Sequence, residues 1–270
     1  MSINETHLLS AQPKRQARIN NRRPSFCTAK ATIQPTRLNR APAVTTPVLP
    51  VVAIGDVHGC STLLKRQLQR HFNTGSELIF LGDLVDRSPE PRGDRKVLEL
   101  VRKLQEEPKA YGLAKVTVLR GNHEQMLLDA LSEETAGFAA DLWQWNGGNS
   151  DFLAVAKEHH DWLAALPLTT IRGDYLFVHA GVRPGVELDQ QNPDDLLWIR
   201  RPFLNGGHHG LPYTVVHGHT FRRDYRVTRL PHRIGIDTGA FMSGKLTALR
   251  LDPSTCTYQC NGNSRELVAM

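Results

Sequence analysis

The chain contains the stretch Leu78-Ile79-Phe80-Leu81-Gly82-Asp83-Leu84-Val85-Asp86-Arg87. Its apolar run ends abruptly in Gly-Asp, as a buried strand does when it delivers a carboxylate to the end of a sheet. The same device occurs upstream, where residues 51–54 lead into Gly55-Asp56-Val57-His58-Gly59. It occurs again downstream, where residues 116–119 lead into Arg120-Gly121-Asn122-His123-Glu124. We therefore expect three strand ends to converge.

Helical patterns separate these strands. Residues 61–70 begin with Ser-Thr and carry leucines at helical spacing, residues 95–106 form a second helix, and residues 124–131 form a third. Strands alternating with helices predict a mainly parallel sheet, with ligands beyond the carboxyl ends of its strands. Residues 132–165 are predicted to be mostly helical, with an interruption at residues 143–149.

After Leu168 the sequence pattern changes to short runs that are typical of β-strands. We predict strands at residues 169–171, 175–178, 215–216, 233–236 and 246–251. The first half of the chain thus supplies one sheet and the second half another. Two mixed sheets packed face to face with helices outside give an α/β fold in four layers, αββα.

The net charge of +6 is unevenly distributed. Residues 1–48 hold eight Lys or Arg against one acid, which leaves 25 bases and 26 acids in the rest of the chain. We interpret residues 1–48 as a basic, disordered extension; an arm for an acidic partner or nucleic acid and a transit peptide stay open as alternatives. The folded domain is predicted to span residues 49–252, and residues 253–270 a peripheral tail.

The cysteines and the hydropathy indicate a cytoplasmic protein. Cys27, Cys60, Cys256 and Cys260 have no zinc-site spacing and are expected to be reduced thiols, although a Cys256–Cys260 bridge stays open. No apolar run approaches the roughly 20 residues of a membrane span, and the N-terminus has no signal-peptide core.

Hard oxygen ligands and imidazoles recur at the strand ends. The candidate metal ligands are Asp56, His58, Asp83, Asn122, His179 and His219. This mixture suits Mn, Fe, Co, Ni or Zn better than Ca or Mg. A single shared ligand would divide the set between two metal ions, and the two oxygens of Asp83 make it the natural bridge. Two metals roughly 3.5–4 Å apart can clamp a phosphoryl group for in-line attack.

Phosphate chemistry also needs cations and an acid. Arg87 lies four residues past Asp83, and Arg200 is a second candidate for binding phosphate oxygens. His123 directly follows a predicted ligand and can protonate the leaving group, with Asp86 orienting its ring. His217 stays open between a supporting role and none, and is not assigned as a ligand. The remaining histidines are predicted to be surface or loop residues: His71, His159, His160, His208, His209 and His232.

Together these motifs resemble the signatures of the PPP-type phosphoprotein phosphatases. The resemblance rests on residues 55–59, 82–87 and 121–124, and on Val178-His179-Ala180-Gly181 and Gly218-His219-Thr220, which are similar to the bacterial and phage form of the family. It implies the calcineurin-like metallophosphoesterase fold, with residues 49–252 as its catalytic domain. One departure is Ser88-Pro89, where the family usually has Gly.

The resemblance also implies how the residues divide. The first metal would take Asp56, His58 and Asp83, and the second would take Asp83 together with Asn122, His179 and His219. Two divalent ions are implied, with manganese expected to support activity in vitro. His123 with Asp86 would be the general acid pair, and Arg87 and Arg200 would bind phosphate.

We therefore predict a serine/threonine protein phosphatase, a phosphomonoesterase in which a metal-bridging hydroxide attacks phosphorus directly. Phosphotyrosine is a further candidate substrate. The alternative is a symmetrical bis(5'-nucleosyl)-tetraphosphatase, a branch that typically has Asp where this chain has Glu124. A non-catalytic phosphoprotein-binding scaffold would lack a ligand, and none is missing. The expected partner is a phosphoprotein or phosphopeptide. The sequence does not indicate association with a membrane, binding of nucleic acid or a regulatory subunit.

Overall fold

The structure is a computed structural model that describes residues 49–132, 137–252, 256–260 and 263–267. The predicted basic extension, residues 1–48, lies outside the described residues. The described strands are β1 (Val51–Ile54), β2 (Glu77–Phe80), β3 (Lys115–Val118), β4 (Thr169–Arg172), β5 (Tyr175–Val178), β6 (Thr214–His217), β7 (Thr228–Leu230), β8 (Arg233–Gly235), β9 (Thr247–Leu251), β10 (Cys256–Cys260) and β11 (Asn263–Leu267). The described α-helices are α1 (Ser61–Leu68), α2 (Gly93–Glu106), α3 (Asn122–Leu131), α4 (Phe138–Trp145), α5 (Leu153–Glu158), α6 (His160–Ala164), α7 (Pro193–Trp198) and α8 (Ala240–Ser243).

The strands form two mixed sheets. The first has the order β11-β10-β9-β1-β2-β3, and the second has the order β4-β5-β6-β8-β7. In the first sheet β1, β2 and β3 are parallel, and β9 runs antiparallel to β1. In the second sheet β5, β6 and β8 are parallel, whereas β4 and β7 are antiparallel edge strands. The carboxyl ends of the parallel strands therefore share one edge of each sheet.

Alternation along the strands places the core between and outside the sheets. Val51 and Ala53 of β1 pack with Phe177 of β5 and Val216 of β6 in a cluster between the two sheets. Their neighbours in β1 face the other way, into a cluster with residues of α1 and α2. Leu176 and Val178 of β5 likewise pack outward against α7. Helices, two sheets and helices thus form the four αββα layers, and the predicted fold class is confirmed.

The structure differs from the expected element order in two places, where it contains strands that were not predicted. β7 is a short edge strand that the pattern did not predict. β10 pairs antiparallel with β9, and β11 with β10, so the first sheet continues past the boundary predicted at residue 252. β7 and β11 carry no apolar alternation that would have identified them, whereas Cys-Thr-Tyr-Gln-Cys in β10 does alternate but follows the polar stretch after Asp252. Cys260 is a free thiol, so the Cys256–Cys260 bridge is not formed.

The helical region after Leu131 is found as α4, α5 and α6 over the residues described there. α4 includes Trp143 and ends at Trp145, so the interruption predicted at residues 143–149 is confined to residues 146–149. Within the described part of the chain, no helix is long and apolar enough to span a bilayer.

Candidate dinuclear metal centre

The predicted loops meet at the carboxyl ends of the parallel strands. The backbone N–H groups of Val57 and His58 both donate to the carbonyl of Asp83, at 2.9 Å each. The loop after β6 joins them, because the backbone N–H of His219 donates to the Asp56 carboxylate at 3.0 Å. The loop after β5 is tied in by His179, whose Nδ1 donates to the carbonyl of Leu81 at 2.8 Å. Both sheets therefore contribute to one site.

The backbone is strained where these loops meet. Eight non-glycine residues of the described chain have positive φ, and five of them lie at this site: His58, Asp83, Asp86, Arg87 and His219. Left-handed backbone is unfavourable for such residues and persists only where surrounding contacts impose it, which is common at functional sites. The strain indicates that side-chain placement here outweighs local backbone preference.

Glu124 connects the motif at residues 82–87 with the motif at residues 121–124 through hydrogen bonds. Its carboxylate is fully buried and accepts the backbone N–H groups of Asp83 at 2.8 Å, Leu84 at 2.7 Å and Gly121 at 2.8 Å. Burial and the charge of Asp83 raise the pKa of Glu124 to about 7, against the effect of these three donors. The sequence pattern indicates no role for Glu124 at the site, because two of its three partners are backbone groups 40 and 41 residues away.

One cluster consists of ligand atoms from Asp83, His179 and His219. All three residues are buried, and these atoms lie within 4.8 Å of one another. Nε2 of His179 lies 3.3 Å from Oδ1 of Asp83. Oδ1 of Asn122 lies 2.8 Å from Nε2 of His179 and 2.8 Å from Nδ1 of His219. The four residues predicted for the second metal are therefore together.

A second cluster consists of His58, Asp83 and His123. Nε2 of His58 lies 3.6 Å from Oδ2 of Asp83, so Asp83 faces both clusters through different oxygens. Asp56 is buried beside the group, and its charge interacts with that of Asp83. Among the described residues, however, Asp56 is not part of this 4.8 Å cluster, whereas His123 is.

Asp237 is a further buried carboxylate at the site, and it is not among the predicted ligands. It follows β8, is 5% exposed, and forms a side-chain hydrogen bond with Asp56. Burial, Asp237 and Asp83 together raise the pKa of Asp56. Burial likewise raises the pKa of Asp237 to about 7. Its position at a strand end, before Thr238-Gly239, was the signal that could have identified it.

The donor set fits divalent metal ions. Burial lowers the pKa of His58 to about 3 and that of His219 to about 2, so both imidazoles are neutral, as metal ligation requires. Nδ1 of His58 donates to the carbonyl of Val85 at 2.9 Å, which leaves the lone pair of Nε2 facing Asp83. Nε2 of His219 is buried without a hydrogen-bond partner. These lone pairs and carboxylates would be costly to bury together without cations.

His123 forms the predicted pair with Asp86. Nδ1 of His123 lies 2.7 Å from Oδ2 of Asp86, and both side chains are almost fully buried. Burial alone would lower the pKa of His123, but Asp83 and Asp86 outweigh it and raise the pKa. The indole N–H of Trp143 donates to the other oxygen of Asp86 at 2.9 Å. Trp143 is thus a buried support for the pair, whereas Trp145 is 88% exposed.

The two arginines differ in how firmly they are held. Arg87 donates through Nε to the carbonyl of Asn146 at 3.1 Å, and its Nη1 lies 3.4 Å from Nε2 of His58. Arg200 is exposed, and its charge lowers the pKa values of His179 and His219 behind the larger effect of burial. Arg87 therefore lies beside His58 of one cluster, whereas Arg200 acts on the histidines of the other cluster through its charge.

His217 lies beside the site without joining either cluster. Its Nδ1 lies 3.1 Å from the carbonyl of Gly218, and its Nε2 lies 3.3 Å from Nη1 of Arg233. His209, predicted to be a surface or loop residue, is 1% exposed, and its Nε2 donates to the carbonyl of His232 at 3.0 Å. His71 and His159 are also buried, so these three histidines are loop or turn residues, as one half of the prediction allowed, but not surface residues.

The sequence is similar to those of known proteins. Residues 49–234 match the calcineurin-like phosphoesterase family. The chain is 32% identical over 219 residues to serine/threonine-protein phosphatase 1 of Salmonella typhimurium, covering 74% of this chain and 91% of that relative. It is 30% identical over 169 residues to a symmetrical bis(5'-nucleosyl)-tetraphosphatase of Janthinobacterium sp., covering 57% of this chain and 56% of that relative.

The fold is shared more widely. The structure of a cold-active protein-tyrosine phosphatase from a psychrophilic Shewanella superposes with a TM-score of 0.57 at 18% identity, covering 84% of this chain and 83% of that one. The family match spans more than half of the chain and includes the loops that carry Asp56, Asp83, Asn122, His179 and His219. The chain is therefore a member of the calcineurin-like phosphoesterases, the metallophosphoesterase family whose fold and motifs it carries.

Proposed function

We propose that the protein is a metal-dependent phosphomonoesterase that hydrolyses phosphoserine and phosphothreonine in proteins. The observation that carries the proposal is the buried His123–Asp86 pair, which lies against the Asp83 cluster that would hold the metals. Similarity to serine/threonine-protein phosphatase 1 extends over 91% of that relative and supports the same substrate class.

Seven groups would hold or border the metal pair: Asp56, His58, Asp83, Asn122, His179 and His219 as ligands, with Asp237 bonded to Asp56. When bound, two divalent ions would supply Lewis acidity at the phosphoryl oxygens and an activated water. Side chains of the protein would bind the phosphate and supply the proton. The choice among Mn, Fe, Zn, Co and Ni follows from metal supply as much as from this donor set.

Substrate phosphate would be bound by Arg87 and Arg200. Guanidinium groups match phosphate oxygens bidentately, and Arg87 is already oriented by the carbonyl of Asn146. His123 would hold a proton on Nε2 and release it to the serine or threonine oxygen as the P–O bond breaks. Asp86 accepts the Nδ1–H and keeps that tautomer, and Asp83 and Asp86 raise the pKa of His123, which favours the protonated ring.

The test is hydrolysis of a phosphoserine peptide by the Mn²⁺-loaded enzyme, compared with Asp83→Asn. We expect turnover by the wild type and a loss of at least about 10³-fold in the variant, because one carboxylate faces both clusters. Undiminished turnover by Asp83→Asn would refute the assigned site. A phosphotyrosine peptide in the same assay decides whether phenolic esters are accepted.

A symmetrical bis(5'-nucleosyl)-tetraphosphatase is the second candidate. The chain is 35% identical over 162 residues to such an enzyme of Dechloromonas aromatica, but it covers only 51% of that relative's length. Diadenosine tetraphosphate in the same assay separates the candidates: faster hydrolysis of the dinucleotide than of the phosphopeptide would reverse their order.

A further inference from the structure

The loop that carries His219 has a strained backbone. His219 has a φ of 65°, and the Thr220 N–H donates to the carbonyl of Gly218 at 2.7 Å. A hydrogen bond over two residues around a positive φ closes the rare, strained form of the γ-turn. A non-glycine residue keeps this conformation only where surrounding contacts impose it. The turn carries the imidazole of His219, whose Nδ1 lies 2.8 Å from Oδ1 of Asn122 in the set predicted for the second metal.

Contacts on two sides of this γ-turn hold its backbone. On the side of the metal ligands, the His219 N–H donates to the Asp56 carboxylate at 3.0 Å. The Gly218 N–H donates to the carbonyl of His179 at 2.8 Å. On the other side, the Gly218 carbonyl accepts a second hydrogen bond, from Nδ1 of His217 at 3.1 Å. The carbonyl that closes the turn is therefore also held by a buried side chain at the end of β6.

Arg233 determines which nitrogen of His217 carries the proton. Nη1 of Arg233 lies 3.3 Å from Nε2 of His217, and a guanidinium group has donors but no acceptor. Nε2 must therefore accept, which leaves the proton on Nδ1, from which it is donated to the Gly218 carbonyl. The opposite tautomer would place a donor against a donor at Arg233 and a lone pair against the carbonyl oxygen. Both contacts are satisfied by one neutral form of the imidazole.

The burial of Arg233 is not explained by stability. Arg233 begins β8 and is 6% exposed, and no carboxylate of the described residues forms a salt bridge with it. Its Nη2 donates to the carbonyl of Leu204 at 2.9 Å, and its guanidinium carbon lies 5.7 Å from the centre of the Phe203 ring. Burying a charge without a counter-charge is unfavourable. The hydrogen bond to His217 gives this arginine a role at the site instead.

We propose that His217 and Arg233 are positioning residues that hold the γ-turn of His219 and thereby orient its imidazole toward the second metal. The inference rests on the proposed function only in taking His219 as a metal ligand. Among the described residues, neither His217 nor Arg233 belongs to a cluster of ligand atoms. They act through the backbone: Arg233 fixes the tautomer of His217, and His217 binds the Gly218 carbonyl.

Mn²⁺ binding tests this proposal without any substrate. The full chain is titrated with Mn²⁺, and free ions are counted from the EPR signal of hydrated Mn²⁺. We expect two ions per wild-type chain, and an affinity about tenfold weaker for one of them in His217→Leu, because support of a ligand is typically worth about 10–100-fold in affinity. His217→Asn is the matched variant of similar size. Its amide can donate to the Gly218 carbonyl from the position of Nδ1, so it should recover much of the lost affinity.

Two further variants separate positioning from a loss of stability. Val215→Ala removes buried apolar surface from the same strand, so it should unfold at a lower urea concentration while both ions bind as in the wild type. Arg233→Met removes the donor to Nε2 of His217 together with a buried charge. It should weaken the same ion as His217→Leu, and it serves as the test if His217→Leu does not fold.

Wild-type affinity for both ions in His217→Leu, or equal weakening of both ions, would overturn the inference. The same holds if His217→Asn binds Mn²⁺ no better than His217→Leu, since loss of the donor would then not be the cause. These outcomes are separable from failure of the proposed function, which is measured with the phosphoserine peptide. Two bound ions without turnover of that peptide would refute the proposed substrate and leave the positioning pair intact.

Discussion

Glu124→Gln should destabilise the protein although the replacement is nearly isosteric. Oε2 of Glu124 accepts two buried N–H groups and Oε1 accepts a third. A glutamine can place its carbonyl at the Oε2 position, but its NH₂ group then opposes the Leu84 N–H. An unsatisfied buried donor costs about 1–3 kcal/mol, and the two remaining bonds lose their charge assistance.

Removing the negative charge of Glu124 also has a stabilising effect. The pKa of Glu124 is raised to about 7 by burial and by Asp83, so removal of the carboxylate relieves some repulsion in the metal-free protein. We therefore expect a net decrease of about 1.5 kcal/mol in the free energy of unfolding, in the lower half of that range. Equilibrium urea unfolding at pH 7 with a chelator measures it.

Glu106→Gln is the matched control. Glu106 makes an exposed salt bridge with Arg102 at the end of α2, so the same chemical change should cost less than about 0.5 kcal/mol. If Glu124→Gln unfolds at the wild-type urea concentration, its three hydrogen bonds do not hold the motifs together, and the reasoning is wrong.

Three further substitutions probe the acid pair, the ligand loops and the core. Asp86→Asn should lower kcat for a phosphoserine peptide about 10²-fold and move the alkaline limb of its pH profile to lower pH, because Asp86 raises the pKa of His123; an unmoved limb argues against the pair. Gly121→Ala places a Cβ 2.3 Å from Oδ1 of Asp83 and should reduce bound Mn²⁺, measured by elemental analysis, whereas Gly207→Ala meets nothing within 4 Å and should not. Phe177→Ala, between the sheets, should cost about 3–5 kcal/mol in urea unfolding, and a cost no larger than that of Phe138→Ala, 81% exposed, would contradict the assigned core.

The fold was predictable because local pattern and tertiary structure agree. β1, β2 and β3 are short apolar runs that end in Gly-Asp or Gly-Asn, and parallel pairing brings such ends to one edge of a sheet. The same logic selected His179 and His219 after β5 and β6. The family and the fold class predicted from these residues are confirmed.

The supporting residues could not be predicted in the same way. Glu124 accepts from backbone amides of a distant loop, and a sequence pattern does not show which amide a buried carboxylate will face. Trp143 lies in the region predicted as an interruption, and that pattern does not show that its indole binds Asp86. Asp237 pairs with Asp56 across two sheets, a contact that depends on how the sheets pack.

The central claim is that one carboxylate, Asp83, is shared by two metal sites. The direct test is the metal content of the purified chain after reconstitution with Mn²⁺ and removal of free ions, for wild type and for Asp83→Asn. We predict two ions per chain in the wild type and loss of both in the variant, because Asp83 faces both clusters. A single ion in the wild type, or two ions retained by Asp83→Asn, would contradict the account.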